Sequence, residues 1–445
     1  MCKHKRSAWI AAAAIAVGLC SSARAENVVI HAGSLLDGIS RTPQSQVSIL
    51  VQDDRIVGVE KGFVTPAGSR VIDLSKATVL PGLIDCHVHI TSQSDGGDTV
   101  HEAVTRTRLD DAFLSARYAR NTLEAGFTTV RDVGGDTDLV VALKRAIKTG
   151  TIPGPRLWVA GAPLGPTGGH GDPANGLDAE LSHPRWDEVT IDSPEKARRV
   201  VREFRRRGVD LIKIMPSGGV LSIGDDPSLQ LMADDEIKAV VETAHALNMK
   251  VAAHIHGTQA INHAIVLGVD SVEHGTFANE ESYKLFKQHG TYLVPTLLIA
   301  QRVLDVANTH PERLPPTAAD KARAVVPTLM ANFSKAYHSG VKIAFGTDES
   351  LVPHGDNAKE FELMVKGGMT PIDAIMSSVH NGGDLIGDSQ NIGSIQSGRY
   401  ADIVAVTGDP VADITELQRV KFVMKGGIVY KEDGHGTMAL MALAH

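Results

Sequence analysis

The 445-residue chain has little cysteine and no block of basic residues interleaved with aromatic ones. Two of its three cysteines, Cys2 and Cys20, lie in the first 25 residues, so Cys86 is alone in the remainder. Without that N-terminal stretch no intramolecular disulfide can form, and stability has to come from the hydrophobic core. The net charge of −8 and the lack of a basic surface pattern argue against a nucleic-acid partner.

The long apolar run near the N-terminus, residues 8–20, is too short to span a bilayer comfortably. It follows a basic stretch, 1–6, and precedes the small-residue cleavage site Ala-Arg-Ala at 23–25. Residues 1–25 therefore predict a secretory signal peptide, with an uncleaved membrane anchor as the alternative. Cleavage would remove four basic residues and no acidic ones, which changes the net charge from −8 to −12. We expect a secreted or periplasmic protein that is not membrane-bound.

The apolar runs divide the rest of the chain into two kinds of segment. Hydrophobic residues make up 43% and charged residues 22%, which is typical of a soluble globular protein. Residues 26–79 contain short alternating runs with a turn at Asp53 and Asp54, which predicts antiparallel β structure. Residues 386–445 have the same texture, so the two chain ends predict one small β-sandwich domain.

Residues 80–385 alternate short apolar runs with longer helical stretches, which is typical of a parallel sheet wound by helices. The candidate strands are 83–88, 128–133, 156–160, 211–215, 251–254, 271–273, 292–295 and 342–346. Eight such strands predict an α/β fold, the (β/α)8 TIM barrel. A doubly wound sheet is the alternative, but no GxGxxG motif follows the first strand. The connections 91–110, 164–192 and 299–327 follow candidate strands, where the loops of a barrel build its active site.

Six polar side chains lie at or near the carboxyl ends of candidate strands: His87, His89, Lys213, His254, His274 and Asp348. His87 and His89 are two residues apart on one strand, so both imidazoles point to the same side. Taken singly, such residues are usually structural, as hydrogen-bonded histidines or helix caps. Lys213 has apolar neighbours, and a buried ammonium there needs a partner or a modification. The convergence of all six at one end of a barrel indicates a metal site.

These motifs resemble the amidohydrolase superfamily, in the branch with a binuclear metal centre bridged by a carboxylated lysine. The stretches that carry the resemblance are 82–89 with HxH, 212–215 with IKIM, the histidines at 254 and 274, 346–348 with GTD, and the tail at 393–406. Within the superfamily, residues 125–132, 167–171 and 253–257 resemble the imidazolonepropionase-related peptidases. The chain also resembles the ochratoxin A-degrading amidohydrolases.

The resemblance implies two Zn²⁺ ions that share a hydroxide and N6-carboxylated Lys213. The implied ligands are His87, His89 and Asp348 for one ion and His254 and His274 for the other. Zinc binds imidazole, carboxylate and carbamate ligands, and other divalent metals bind them too. Asp348 would also be catalytic, taking a proton from the nucleophile and returning it to the leaving amine.

The resemblance places two further histidines, His170 and His256, against the substrate as catalytic residues. Glycines flank His170 and give it no packing role. The alternative role for His256 is to orient one of the metal ligands. Arg131 and Asp132 end the second strand. They are expected either to form a buried ion pair or to take part in recognising a substrate carboxylate. Cys86 faces away from the ligand histidines and is predicted to pack in the core.

The sequence thus predicts a secreted zinc amidohydrolase that cleaves N-acyl-amino acids or dipeptides as a carboxypeptidase does. The resemblance extends this to hydrolysis of ochratoxin A into ochratoxin alpha and L-phenylalanine. The alternatives are an Xaa-Pro or other dipeptidase, a cyclic amide hydrolase of the imidazolonepropionase type, a phosphotriesterase, and a metal- or solute-binding protein without catalysis. A serine hydrolase is disfavoured because no GxSxG motif is present.

The expected partner is a small-molecule amide or peptide. Substrate preference is expected to depend on residues 164–192, 216–226 and 351–356, and His354 is expected to border the pocket. The resemblance also implies a homo-oligomer, with an octamer as one form.

Overall fold

The structure, a computed structural model, describes residues 27–94, 105–178, 180 and 186–437, so the predicted signal peptide lies outside the described residues. The strands are β1 (Asn27–Leu35), β2 (Gln44–Gln52), β3 (Arg55–Lys61), β4 (Arg70–Pro81), β5 (Leu83–Val88), β6 (Phe127–Asp132), β7 (Arg156–Val159), β8 (Leu211–Ile214), β9 (Lys250–Ile255), β10 (Ser271–His274), β11 (Tyr292–Val294), β12 (Ile403–Val406), β13 (Phe422–Lys425), β14 (Ile428–Glu432) and β15 (His435–Gly436). The α-helices are α1 (Arg108–Glu124), α2 (Thr137–Lys148), α3 (Pro194–Arg207), α4 (Asp234–Ala246), α5 (Thr258–Leu267), α6 (Glu280–His289), α7 (Leu297–Thr309), α8 (Ala318–His338), α9 (Lys359–Lys366), α10 (Pro371–Ser378) and α11 (His380–Ile386).

Strands from both chain ends pair in one eight-stranded sheet, in the order β15-β14-β13-β12-β4-β1-β2-β3. β4 joins the two halves, since it runs parallel to β1 and antiparallel to β12. The turn predicted at Asp53 and Asp54 is confirmed, because it connects the antiparallel strands β2 and β3. A separate hydrophobic cluster that includes Ile30, Ile49 and Phe422 packs on this sheet. The sandwich arrangement and the domain boundaries stay predictions.

The middle of the chain forms two parallel sheets, β5-β6-β7 and β8-β9-β10-β11. These strands agree with the first seven predicted ones to within one residue at each end. Apolar residues of the strands and of the surrounding helices share the largest hydrophobic core. The carboxyl ends of the strands in each sheet therefore lie at one edge, where their terminal side chains can meet.

The predicted strand at 342–346 is wrong as a regular strand, since its bridge to β11, between Ile343 and Leu293, is isolated. On the other side the Phe345 carbonyl accepts the Cys86 N–H of β5 at 2.8 Å. Further parallel bridges join Leu164 to Ile214 and Val88 to Glu349. Gly346 explains part of the irregularity, because a Cβ there would lie 2.3 Å from Val294 Cγ1 and 2.9 Å from His87 Cβ. The segment thus passes close to β5 and β11, but regular pairing in the described residues does not close a barrel.

The connection predicted at 299–327 is also wrong, because most of it is helical in α7 and α8. Ile299, Val303 and Ala307 recur at four-residue spacing and are buried, which gives α7 an apolar face. The two helices pack on each other in a hydrophobic cluster of their own. Among the helices that the structure describes, none combines the length and apolar character needed to cross a membrane.

Candidate metal centre and active site

A cavity of about 450 Å³ lies at the carboxyl ends of the parallel strands. It is lined by all eight side chains proposed from the sequence as ligands or catalytic groups: His87, His89, His170, Lys213, His254, His256, His274 and Asp348. The structure therefore brings the predicted set together, while the roles of its members stay predictions.

One half of the site consists of His87, His89 and Asp348, whose candidate ligand atoms lie within 4.8 Å of one another. Asp348 Oδ1 lies 3.0 Å from His89 Nε2 and 3.6 Å from His87 Nε2. The Nδ1 of His89 donates to the Gly134 carbonyl at 2.7 Å, and the Nδ1 of His87 donates to Glu273 Oε2 at 2.8 Å. These outer hydrogen bonds fix both rings with Nε2 toward the cavity, as histidine ligands of metals require.

The other half of the site consists of His254, His256 and His274, again with candidate ligand atoms within 4.8 Å. The Nδ1 atoms of His256 and His274 each lie 2.7 Å from a threonine hydroxyl, Thr276 and Thr296 respectively. His254 Nε2 is buried and has no hydrogen-bond partner among the described residues. A buried polar nitrogen without a partner is costly, so this atom is suited to a cation.

The two halves adjoin, because the ring centroids of His87 and His274 are 5.3 Å apart. Lys213 lines the same cavity and is only 1% exposed. Burial lowers the pKa of Lys213 to about 8. About a tenth of the amine is then neutral at pH 7, against less than about one part in a thousand for an ordinary lysine.

The electrostatics of the site favour the forms that bind metals. Burial lowers the pKa of His87 to about 4 and that of His256 to about 3, and it lowers the pKa values of His254 and His274 well below normal. Burial opposes ionisation of Asp348, but the neighbouring His87 and His89 outweigh it and lower the pKa of the carboxyl. His87, His254, His256 and His274 are therefore neutral and Asp348 is ionised, which suits divalent cations. Burial opposes protonation of His89, but the hydrogen bond to Asp348 outweighs it and raises the pKa of this imidazole.

Three residues at the site have left-handed backbone although none is glycine: His274 at φ 69°, Thr296 at φ 51° and Asp348 at φ 58°. Such backbone is strained for ordinary side chains and concentrates at functional sites. Two of the three, His274 and Asp348, are candidate ligands. The third, Thr296, has its hydroxyl within hydrogen-bond distance of His274 Nδ1. Backbone strain is therefore found at two residues whose side chains line the cavity, His274 and Asp348.

Arg131 and Asp132 do not pair with each other. Arg131 donates to Glu273 Oε1 at 2.8 Å, and Asp132 Oδ2 accepts the Ile90 N–H at 2.7 Å. An ion pair between Arg131 and Asp132 is therefore wrong, because Arg131 pairs with Glu273 instead. Neither Arg131 nor Asp132 lines the cavity. Sequence reasoning missed Glu273, which links Arg131 to His87; its place beside a ligand histidine in Val-Glu-His was the available signal.

The expectation that His354 borders the pocket is wrong, because its side chain is fully buried away from the cavity. Its Nδ1 lies 2.9 Å from Glu349 Oε2, and its Nε2 donates to the Ser92 carbonyl at 2.9 Å. The ring stacks on Tyr118 at 4.9 Å between centroids. His354 and Glu349 thus form a buried pair that packs behind Asp348.

The other walls of the cavity are largely apolar. Their residues come from the loop after β8 and from α7 and α8: Met215, Val220, Leu221, Ile299, Ala300, Val303, Val325, Val326 and Leu329. Sequence reasoning missed the helical wall. Of the loops expected to set substrate preference, 164–192 and 216–226 contribute lining residues, whereas none of the residues described as lining the cavity comes from 351–356.

His170 stacks on His254 with 4.4 Å between ring centroids. Burial lowers the pKa of His170 to about 4, so the ring is neutral at pH 7. Its Nδ1 is buried without a hydrogen-bond partner among the described residues. A neutral imidazole that lines the cavity can form a hydrogen bond to a substrate.

The chain belongs to the amidohydrolase family, which its residues 78–429 match. It is a hydrolase that acts on amide bonds. It is 32% identical to ochratoxinase of Aspergillus niger over 446 aligned residues, which cover 94% of this chain and 89% of that protein. The superfamily resemblance seen in the sequence is thereby confirmed.

Two solved structures are similar to the whole described fold. A Xaa-Pro dipeptidase with bound methionine in its active site has 38% sequence identity and a TM-score of 0.88, covering 91% of this chain and 100% of that one. The ochratoxinase of A. niger has 30% identity and a TM-score of 0.80, covering 93% of this chain and 97% of that one.

Proposed function

We propose that the protein is a zinc-dependent amidohydrolase that releases the C-terminal residue of N-acyl-amino acids or dipeptides. The observation that carries the proposal is the meeting of two candidate ligand clusters in one cavity. His87, His89 and Asp348 would hold one Zn²⁺, and His254 and His274 the other. Two cations in such a site polarise an amide carbonyl and lower the pKa of water.

Lys213 would bridge the two ions as N6-carboxylysine. The ammonium would first lose one proton to solvent; the neutral Nζ would then bond to the carbon of CO₂ and release a second proton, which changes a cation into an anionic carbamate. Only the neutral amine reacts, and burial supplies it by lowering the pKa of Lys213 to about 8. The modification also removes the cost of a buried ammonium.

The chain's own residues would direct the proton and the substrate. Asp348, ionised and 3.0 Å from His89 Nε2, would take a proton from the attacking water and return it to the leaving amine. His170, which lines the cavity, would bond to the substrate. His256 lies in the same cluster as His254 and His274, so it would either contact the substrate or support the ligands.

Ochratoxin A is the specific substrate we propose, with ochratoxin alpha and L-phenylalanine as products. The support is the identity to the Aspergillus ochratoxinase together with the largely apolar cavity walls. An Xaa-Pro or other dipeptidase is the second candidate, favoured by the likeness to the Xaa-Pro dipeptidase. A cyclic amide hydrolase of the imidazolonepropionase type stays an alternative.

The proposal includes the architecture and setting expected from the sequence. We propose that the two parallel sheets and the segment 342–349 close a TIM barrel, supported by the bridges at Ile343 and Glu349. The sheet built from both chain ends would pack as a sandwich. Residues 1–25 would direct export and be removed, and the mature protein would form a homo-oligomer.

The test is a hydrolysis screen of the purified protein over N-acyl-amino acids, dipeptides, ochratoxin A and imidazolonepropionate. We expect release of the C-terminal residue, including phenylalanine from ochratoxin A, with no turnover of imidazolonepropionate. Release confined to Xaa-Pro dipeptides would establish the second candidate instead. Absence of amide hydrolysis throughout the screen would refute the proposal.

A further inference from the structure

A buried ion pair lies beside the cavity, between Lys321 of α8 and Asp225 of the loop after β8. Lys321 Nζ is 3.1 Å from Asp225 Oδ1, and the two side chains are 16% and 1% exposed. The same ammonium donates to the carbonyls of Gly219 at 3.0 Å and Ser222 at 2.9 Å. An ammonium has three N–H donors, so Lys321 uses all of them on this one loop.

Asp225 organises the loop from within. Its Oδ1 accepts the Gly219 N–H at 3.2 Å and the Ser222 hydroxyl at 2.6 Å. Its Oδ2 lies 3.5 Å from Asn175 Nδ2, and Asn175 also donates to the Gly169 carbonyl at 3.1 Å. The carboxylate thus connects the loop after β8 to the glycine-rich segment that carries His170.

The ion pair joins the two apolar walls of the cavity. Val220 and Leu221 belong to the loop, and Val325 belongs to α8; all three line the cavity. Lys321 and Val325 are four residues apart, so they lie on the same face of α8. The loop side chains also pack against the hydrophobic cluster between α7 and α8. The lysine therefore fixes the loop at the position where it meets the helical wall.

The loop also packs directly on His170. A Cβ built on Gly219 would lie 2.2 Å from His170 Nδ1, so only glycine fits there. A shift of the loop would therefore move both the apolar wall and the space that His170 occupies. Gly219, which packs on this ring, also supplies one of the carbonyls that accept from Lys321.

We propose that Lys321 is a positioning residue that preorganises the cavity for substrates with a large apolar group next to the scissile amide. This inference rests on the proposed amide hydrolysis. Apolar contacts alone do not fix one loop position, whereas a buried ammonium with three acceptors does so at one geometry. A wall fixed before binding spares the substrate the cost of ordering it.

The experiment compares wild-type protein with Lys321→Met, which keeps the side-chain length and removes the charge. N-benzoyl-phenylalanine serves as the bulky substrate and N-acetyl-alanine as the small one. We expect KM for the bulky substrate to rise about tenfold to a hundredfold, while kcat/KM for the small substrate changes less than about threefold. Lys335→Met, at an exposed position on the same helix, is the matched control and is expected to behave as wild type.

A double variant, Lys321→Met with Asp225→Asn, separates positioning from stability. The single variant leaves a buried carboxylate without its partner and lowers the melting temperature, whereas the double variant removes both charges and recovers it. We expect the raised KM for the bulky substrate to persist in the double variant. The double variant also provides the test if Lys321→Met does not fold. Recovery of both properties would show a purely structural role and overturn the inference.

The inference and the proposed function fail in different ways. Wild-type protein that hydrolyses neither substrate would refute the proposed function, and the inference with it. Wild-type turnover of the bulky substrate with an unchanged KM in both variants would overturn only the role of Lys321.

Discussion

Asp348→Asn is expected to reduce kcat for amide hydrolysis by roughly 10²–10⁴-fold. The substitution keeps the shape of the side chain but removes the ionised carboxylate beside His87 and His89. The amide can neither take the proton of the attacking water nor serve as an anionic ligand. Steady-state kinetics on an N-acyl-amino acid at fixed zinc concentration measures the change.

The fold of this variant should be preserved, because asparagine tolerates the left-handed backbone of Asp348 at φ 58°. We expect its melting temperature in the metal-free state to stay close to that of wild type. Asp356→Asn is the matched control, since Asp356 follows on the same connection and is partly exposed beside Lys359. Wild-type kcat in Asp348→Asn would show that this carboxylate does not move the proton.

Lys213→Ala is expected to lower the metal content and to reduce kcat by roughly 10³-fold or more, because the bridging carbamate cannot form. Lys213→Met, which keeps most of the buried volume, should lose metal and activity to the same extent. Atomic emission spectrometry of the dialysed proteins measures the metal content. A carbamate resonance in ¹³C NMR after equilibration with ¹³C-bicarbonate should be present in wild type and absent from both variants.

The control for this prediction is Lys250→Met, which removes a lysine at the start of β9, away from the cavity. It should keep the metal, the activity and the carbamate signal. Full activity in Lys213→Met would contradict the bridging role, whereas a loss confined to Lys213→Ala would point to the cavity that alanine leaves.

The meeting of the candidate ligands in one cavity could be predicted because it depends on local geometry. His87 and His89 share a side through the two-residue period of one strand, and the later histidines and Asp348 end or follow predicted strands. Parallel strands then bring their carboxyl ends together whatever the details of packing. Locating these residues in space requires only the order and direction of the strands.

The residues that support the ligands could not be predicted, because their partners are distant in sequence. Glu273 contacts His87 across 186 positions. Its place next to His274 marks Glu273 as close to the site but does not specify which residue it contacts. The same holds for Lys321 and Asp225, which meet only once α8 packs beside the loop after β8. A charged residue in the sequence does not indicate whether it will be buried or paired.

The errors in secondary structure also have physical causes. Residues 342–346 have the composition of a strand, but the close approach at Gly346 leaves their bridge to β11 isolated. Residues 299–327 contain four prolines, Pro311, Pro315, Pro316 and Pro327, which favour reading the stretch as a connection. Three of them lie between α7 and α8, and Pro327 is accommodated within α8. The helices that result build the apolar wall of the cavity.

The central claim is that two divalent cations at the His87–Asp348 and His254–His274 clusters make this chain a hydrolase. The most direct measurement is the metal content of the purified wild-type protein, taken together with amide hydrolysis, before and after dialysis against a chelator. We predict two ions per chain, loss of hydrolysis together with the ions, and its return when Zn²⁺ is added. Undiminished hydrolysis by the metal-free protein would contradict the account.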